Sequence, residues 1–216
     1  MDQKSFKVPL ERNPFVFVTV IPGHFTTNHI HVNHYLDLND MKSNMLIARD
    51  VARELSTPYL AGIAGVPVDT IVCMERTVAV GAYLAEELVR ECDPAFNNNG
   101  EIHILTPISA AGGNLVFQNS TIRWIKGRNI ILLVATISSG QTMKKALECL
   151  SFYGGRVFGV SALFMASKSV SDPRIHPLFT SDDIPGYKIW APGDCAMCKA
   201  GMKLDAVISS EGYSEI

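Results

Sequence analysis

The sequence lacks the features that would assign it to several common functional classes. It has no block of Lys and Arg, and its 19 basic and 21 acidic residues leave a net charge of -2. Proteins that bind nucleic acid or a membrane surface need a concentrated basic face, so we expect neither partner. No apolar run approaches the roughly 20 residues of a membrane span, and the polar residues 1–11 do not resemble a signal peptide. We therefore expect a cytoplasmic protein.

Low-complexity tracts are also absent, and cysteine is sparse. The five cysteines are an odd number spread along the chain, which is not typical of a secreted disulfide framework. Hydrophobic residues make up 47% and charged residues 19% of the 216 positions. A chain of this size and composition can bury a sizeable core. We expect one domain over residues 1–216 with reduced thiols.

Apolar runs of strand length alternate with helical periodicity along most of the chain. The predicted strands are residues 15–20, 70–74, 102–105, 130–135 and 156–164. The predicted helices are residues 41–55, with Asn39 or Asp40 as the cap, 79–91 and 140–152. Residues 130–135 are apolar throughout, as expected for a central parallel strand covered on both faces. This order predicts an α/β fold with a doubly wound, mainly parallel sheet, whose ligand crevice lies beyond the carboxyl ends of its strands.

A shorter apolar region precedes the central strand. Residues 115–117 and 121–125 are predicted to pair as a hairpin across residues 118–120.

The segment after the central strand is suited to an oxyanion. Ser138-Ser-Gly-Gln-Thr142 combines backbone N–H groups, hydroxyl donors and the start of a helix. Gly140 would let the backbone approach a ligand closely. A phosphate monoester fits this description. An ordinary helix cap with a glycine beside it is the alternative interpretation.

Residues 130–142 also carry a family resemblance. Together with Ala146, Leu150, Gly154-Gly155 and Val157, they resemble the signature of the type I phosphoribosyltransferases. That resemblance implies a ligand such as 5-phosphoribosyl-1-pyrophosphate (PRPP), a phosphate held by Ser138, Ser139, Gly140, Gln141 and Thr142, and a homodimer.

The acidic pair of that signature is missing. In the family, two acidic residues precede the phosphate loop by two positions, hold the ribose hydroxyls and help to position magnesium. The corresponding residues here are Val134 and Ala135. The resemblance therefore implies phosphate binding without implying the ribose and metal chemistry.

Two further segments resemble the orotate branch of the family. Residues 1–40 are similar to its base-side segment, which makes His34 and Tyr35 candidates for contact with a base. Residues 69–78 lie in the place of its pyrophosphate loop, where Glu75, Arg76 and Thr77 are the candidates. Arg76 would hold anionic oxygens through bidentate hydrogen bonds. A solvated Arg76, or one paired with Glu75, is the alternative.

Residues 105–128 lie in the place of the family's mobile catalytic hood. In orotate enzymes the hood carries a basic motif, whereas residues 106–113 are neutral and the nearest cations are Arg123, Lys126 and Arg128. Phosphoribosyl transfer expels a highly charged leaving group, so missing cations and missing metal support should slow it. We expect reduced or absent transferase activity, with magnesium as a cofactor if the protein is active.

The tail, residues 190–216, contains Cys195-Ala-Met-Cys198 and resembles the Cys-x-x-Cys-x-x-Gly tail of some orotate phosphoribosyltransferases. Three interpretations stay open: a tight turn with two ordinary thiols, a redox pair, or half of a zinc site. In the last case, the remaining ligands would come from His24, His29, His31 and His34.

Three functional hypotheses follow from these features. The first is an orotate phosphoribosyltransferase-like protein that binds the 5′-phosphate of a nucleotide or PRPP without efficient catalysis. The second is an active phosphoribosyltransferase that joins PRPP to a pyrimidine or related base. The third is a metal-binding or structural protein.

Overall fold

The computed structural model describes residues 5–62, 67–91, 101–166, 170–209 and 212–216. Its strands are β1 (Phe6–Leu10), β2 (Asn13–Thr26), β3 (His31–Asp37), β4 (Thr70–Cys73), β5 (His103–Leu105), β6 (Ile108–Ser109), β7 (Leu115–Val116), β8 (Asn129–Ile137), β9 (Arg156–Met165), β10 (Ile175–Thr180), β11 (Ile189–Trp190), β12 (Ala206–Ser209) and β13 (Gly212–Glu215). Its α-helices are α1 (Asn39–Ser43), α2 (Met45–Gly62), α3 (Val78–Glu91), α4 (Gln141–Phe152) and α5 (Ala196–Lys199). Within these ranges, no helix combines the length and apolarity that crossing a bilayer requires.

A five-stranded parallel sheet forms the centre of the α/β fold, in the order β10-β9-β8-β4-β5. Side chains of its middle strand, β8, alternate between two cores. Ile131 and Leu133 pack in the core that includes residues of α2 and α3, whereas Ile130 and Leu132 pack in the core that includes residues of α4. The prediction of a mainly parallel sheet with this strand at its centre is confirmed.

A second sheet combines the two ends of the chain. Its order is β11-β3-β2-β12-β13, with β1 added to β2, and its neighbours are antiparallel except for β12 beside β2. Phe25, Val32 and Ala206 form a small separate core there. The strand predicted at residues 15–20 is the middle of the longer β2. β12 and β13 lie outside the strands predicted from the sequence.

The predicted hairpin of residues 115–117 with 121–125 is wrong. Leu115–Val116 pairs instead with Ile108–Ser109, across a turn in which Gly112 and Gly113 have positive φ angles. Residues Ile122–Trp124 form a short 3-10 helix that leads into Ile125, whose side chain is fully buried. The alternating apolar residues here therefore anchor a turn to the core and do not form a strand face.

The helix predicted over residues 41–55 is two helices, α1 and α2, separated at Asn44. The Asn44 side chain provides the cap, because its Oδ1 accepts a hydrogen bond from the N–H of Leu46 at 3.1 Å. Asp37 accepts a similar bond from the N–H of Asn39 at the start of α1. The predicted caps, Asn39 and Asp40, are therefore wrong.

Gly159 in β9 gives a test of how closely α2 packs on the parallel sheet. A methyl group at this position would lie 2.4 Å from Cε1 of Tyr59, a buried residue whose hydroxyl hydrogen-bonds Ser161 Oγ at 2.7 Å. Because the ring is held in place, we expect Gly159→Ala to destabilise the fold by about 1–3 kcal/mol, measured by urea unfolding. Gly193→Ala is the control, since no atom lies within 4 Å of its new methyl group. Equal stability of the two variants would contradict the packing argument.

Candidate functional site

A cavity of about 540 Å³ lies between the carboxyl end of β8 and the sheet built from the chain ends. One side is formed by Ser138, Ser139, Gln141 and Thr142, and the other by residues of β3 and β12, such as Tyr35 and Val207. This is the crevice position expected for a parallel α/β sheet. Its volume falls in the range typical of small-molecule sites.

The N-terminus of α4 lines one end of the cavity and is suited to an anion. Gly140 is the residue before the helix, with φ 76° and ψ 0°, and no side chain caps the helix there. The hydroxyl-cap interpretation therefore does not describe this helix. Ser139 and Thr142 are exposed, so their hydroxyls can reach a ligand. Backbone N–H groups, hydroxyl groups and the helix dipole together favour a phosphate.

Cations and one carboxylate complete the polar lining. Lys42 of α1 and Lys145 of α4 line the cavity, and Glu75 is the carboxylic acid among its described lining residues. Two lysines in the lining of one cavity favour an anionic ligand.

Glu75 lies against the end of the central strand. Its Oε2 accepts hydrogen bonds from the backbone N–H groups of Ala135 and Thr136, at 2.9 Å and 3.1 Å. Burial raises the pKa of this carboxyl group, and the two hydrogen bonds and the positive charge of Lys42 oppose the rise. Glu75 thus brings a carboxyl group to the end of β8, whose own residues include no acid.

The other two pyrophosphate-loop candidates do not line the cavity. Arg76 is exposed and, like Glu75, has a positive φ angle. Thr77 is fully buried, and its hydroxyl donates to the backbone oxygens of Met74 and Leu133. The hydroxyl of Thr77 therefore stabilises the turn between β4 and α3.

Aromatic rings form another part of the cavity lining, the aromatic wall of His34, Tyr35 and Tyr187. His34 and Tyr35 both line the cavity, and the His34 ring stacks on Tyr187 with centroids 6.3 Å apart. Burial lowers the pKa of His34, which favours the neutral form of its imidazole. Burial, followed by the nearby Asp37 and Tyr213, raises the pKa of Tyr35 to about 12, so its phenol stays protonated. A neutral aromatic surface with hydrogen-bonding tips suits a planar base.

Sequence comparison connects the chain with one group of enzymes. It is 30% identical over 88 aligned residues to the orotate phosphoribosyltransferase of Sulfurimonas denitrificans, a match that covers 35% of this chain and 43% of that enzyme. The match thus spans less than half of the relative's length. No family model matches the chain.

Solved structures give a broader correspondence. Adenine phosphoribosyltransferase of Saccharomyces cerevisiae superposes with a TM-score of 0.51 at 13% identity, over 81% of this chain and 93% of the other. UMP synthase of Leishmania donovani gives 0.50 at 16% identity, over 69% of this chain and 30% of the other. The chain has the type I phosphoribosyltransferase fold. Identities this low establish the fold alone.

Within this phosphoribosyltransferase fold, the cysteine pair meets two of the four candidate histidines. His24 Nε2 lies 3.4 Å from Cys195 Sγ and 3.6 Å from Cys198 Sγ, and His31 Nδ1 lies 3.3 Å from Cys198 Sγ. His29 and His34 are not in the cluster and instead line the cavity. The sequence contains four candidate histidines. The pairing of β2 with β3 brings two of them, His24 and His31, close together.

Proposed function

We propose that this protein binds the 5′-phosphate of a nucleotide or of PRPP in the cavity. The supporting observation is the left-handed turn at Gly140, which presents the uncapped N-terminus of α4 beside the hydroxyls of Ser138, Ser139 and Thr142. Gln141 also lines this end. The phosphate would accept hydrogen bonds from these groups, and Lys145 would balance its charge.

The base would lie against the aromatic wall formed by His34, Tyr35 and Tyr187. These rings and the phosphate-binding residues line the same cavity, so one ligand can contact both. His34 and Tyr35 offer hydrogen bonds from neutral groups, which favours an uncharged or anionic base over a cation. In this proposal residues 1–40 and 190–216 act with the parallel sheet as one domain, in a cytoplasmic homodimer.

Phosphoribosyl transfer is a second candidate function, favoured by one observation. Glu75 places an oxygen donor in the cavity near the phosphate end, and Mg²⁺ is commonly held by one or two carboxylates together with phosphate oxygens and water. Glu75 would hold the ion, which would neutralise charge on the leaving pyrophosphate. Arg76 and the neutral residues 106–113 line none of the cavity, so we expect turnover to be slow.

A calorimetric titration that varies the ligand tests phosphate recognition. We expect a nucleoside 5′-monophosphate to bind roughly 10- to 100-fold more tightly than the matching nucleoside, because hydrogen bonds to a charged group contribute about 1.5–3 kcal/mol. Uridine and adenosine, each with its monophosphate, separate base preference from phosphate recognition. Equal affinity of nucleoside and nucleotide, or no binding of any ligand including PRPP, would refute the proposal.

An assay for nucleotide formation decides between the two functions. The protein is mixed with PRPP, with orotate or adenine, and with Mg²⁺. Nucleotide formation that requires Mg²⁺ would establish the transferase. Binding of PRPP without turnover would support the non-catalytic protein.

A further inference from the structure

The cluster of His24, His31, Cys195 and Cys198 has the composition and spacing of a metal site. Its four ligand atoms all lie within 4.8 Å of one another. Typical zinc distances of about 2.0–2.1 Å to nitrogen and 2.3 Å to sulfur give tetrahedral edges of about 3.3 Å for N–N and 3.6 Å for N–S. The observed separations are 3.1 Å between His24 Nε2 and His31 Nδ1, and 3.3–3.6 Å for three N–S pairs. Four donors at such edges surround a volume that one zinc ion fills.

The environment of His24 fixes which nitrogen can bind a metal. His24 Nδ1 lies 3.2 Å and 3.1 Å from the backbone oxygens of Met202 and Lys203, which are acceptors only. Nδ1 must therefore carry the hydrogen of the neutral ring, and the lone pair of Nε2 points at His31 Nδ1 and the two sulfurs. Metal-bound histidines almost always show this arrangement, in which the second nitrogen donates to a carbonyl or carboxylate.

Hydrogen bonding within the protein explains the cluster less well. His24 and Cys195 are almost completely buried, yet the partners of His24 Nε2 are a second imidazole and the two cysteine sulfurs. A thiol is a weak donor and a weak acceptor, so these contacts only weakly compensate for the burial of His24, His31 and Cys195. Two thiolates and two imidazoles are the ligand set that selects Zn²⁺ over Mg²⁺ or Ca²⁺.

We propose that His24, His31, Cys195 and Cys198 bind one structural zinc ion. Four protein ligands complete a tetrahedron and leave no open position, which is the arrangement of structural and not of catalytic zinc. Binding releases the two thiol protons as both sulfurs coordinate the metal as thiolates. This site is separate from the phosphate-binding residues and does not depend on the proposed function.

The position of the site shows what the ion would hold together. His24 and His31 lie in β2 and β3, whereas the cysteines flank the start of α5, more than 160 residues later in the chain. Residues 27–30, between the two histidines, line the cavity, as do Val207 and Ile208 of β12, which follows the cysteines. Zinc would therefore link the tail to β2 and β3 and stabilise the side of the cavity that they form.

Zinc analysis of the purified full-length protein tests the proposal. We expect about one zinc per chain, and loss of it in a Cys195→Ser, Cys198→Ser double variant. Cys149→Ser is the control, since this thiol lies outside the cluster and should leave the zinc content unchanged. No zinc after incubation of reduced protein with Zn²⁺, or equal zinc in the double variant, would overturn the site.

Cobalt substitution of the wild-type protein keeps the test independent of variant folding. We expect Co²⁺ to give the intense visible bands of a tetrahedral ion and a sulfur-to-metal charge-transfer band. Weak bands typical of six-coordinate cobalt would contradict the proposal. Chelation of the metal should also lower the midpoint of thermal unfolding, and re-addition of Zn²⁺ should restore it.

Discussion

Replacing Gly140 with valine should weaken binding of a nucleoside 5′-monophosphate by roughly 100-fold or more. Gly140 has φ 76°, a conformation that costs a residue with a side chain about 1–3 kcal/mol. The new Cβ would also lie 3.1 Å from a methyl carbon of Val170. The turn must change to relieve both effects, which moves the N-terminus of α4 and its neighbouring hydroxyls away from the phosphate. Titration calorimetry with the monophosphate measures the loss.

A matched variant separates backbone strain from ligand recognition. Gly127 has a similar φ of 71° and no atom within 4 Å of a new Cβ, and it is not among the residues that line the cavity. We expect Gly127→Val to be destabilised without losing affinity for the phosphate. Equal affinity losses in the two variants would show that the Gly140 effect comes from general destabilisation.

Replacing Glu75 with alanine should lower the midpoint of thermal unfolding by roughly 5–10 °C. The change leaves the N–H groups of Ala135 and Thr136 without their carboxylate acceptor, at an expected cost of about 2 kcal/mol or more. The Glu75→Gln variant is the control, because its amide oxygen can accept the same two bonds. We expect it to be at least as stable as the wild type and to lose any effect of Mg²⁺ on PRPP binding, as measured by calorimetry. A Gln variant that responds to Mg²⁺ like the wild type would exclude Glu75 as the metal ligand.

The difference in stability between the wild type and Glu75→Gln should change with pH in a definite direction. The pKa of Glu75 is raised in the folded protein, so its ionisation disfavours folding. Its contribution to stability is complete below the ordinary carboxyl pKa of 4.5 and is lost as the pH rises through the higher folded value. Glu75→Gln should therefore gain stability relative to the wild type between acid and neutral pH. A constant difference across this interval would contradict the burial of a charged Glu75.

The sequence predicted the parallel sheet and the glycine turn before α4 because local signals specify both. Residues 130–135 are apolar without alternation, and a glycine before a helix is visible in the chain itself. Long-range contacts were not visible in the same way. Glu75 reaches the end of β8 from 60 residues away, and β12 enters its sheet beside β2 from the other end of the chain. The strand predicted at residues 121–125 is wrong because its apolar residues belong to a 3-10 turn and to the buried Ile125 that follows it, and this composition also suits a strand.

The second sheet also sets an order for assembly during synthesis. The turn at Gly140 and the parallel strands are complete once β10 has been made. β2 and β3 are made early, but their partners β11 and β12 come late in the order of strands. The parallel sheet therefore needs nothing beyond residue 180, whereas the sheet that carries His34 and Tyr35 is completed only when residues 189–209 join it.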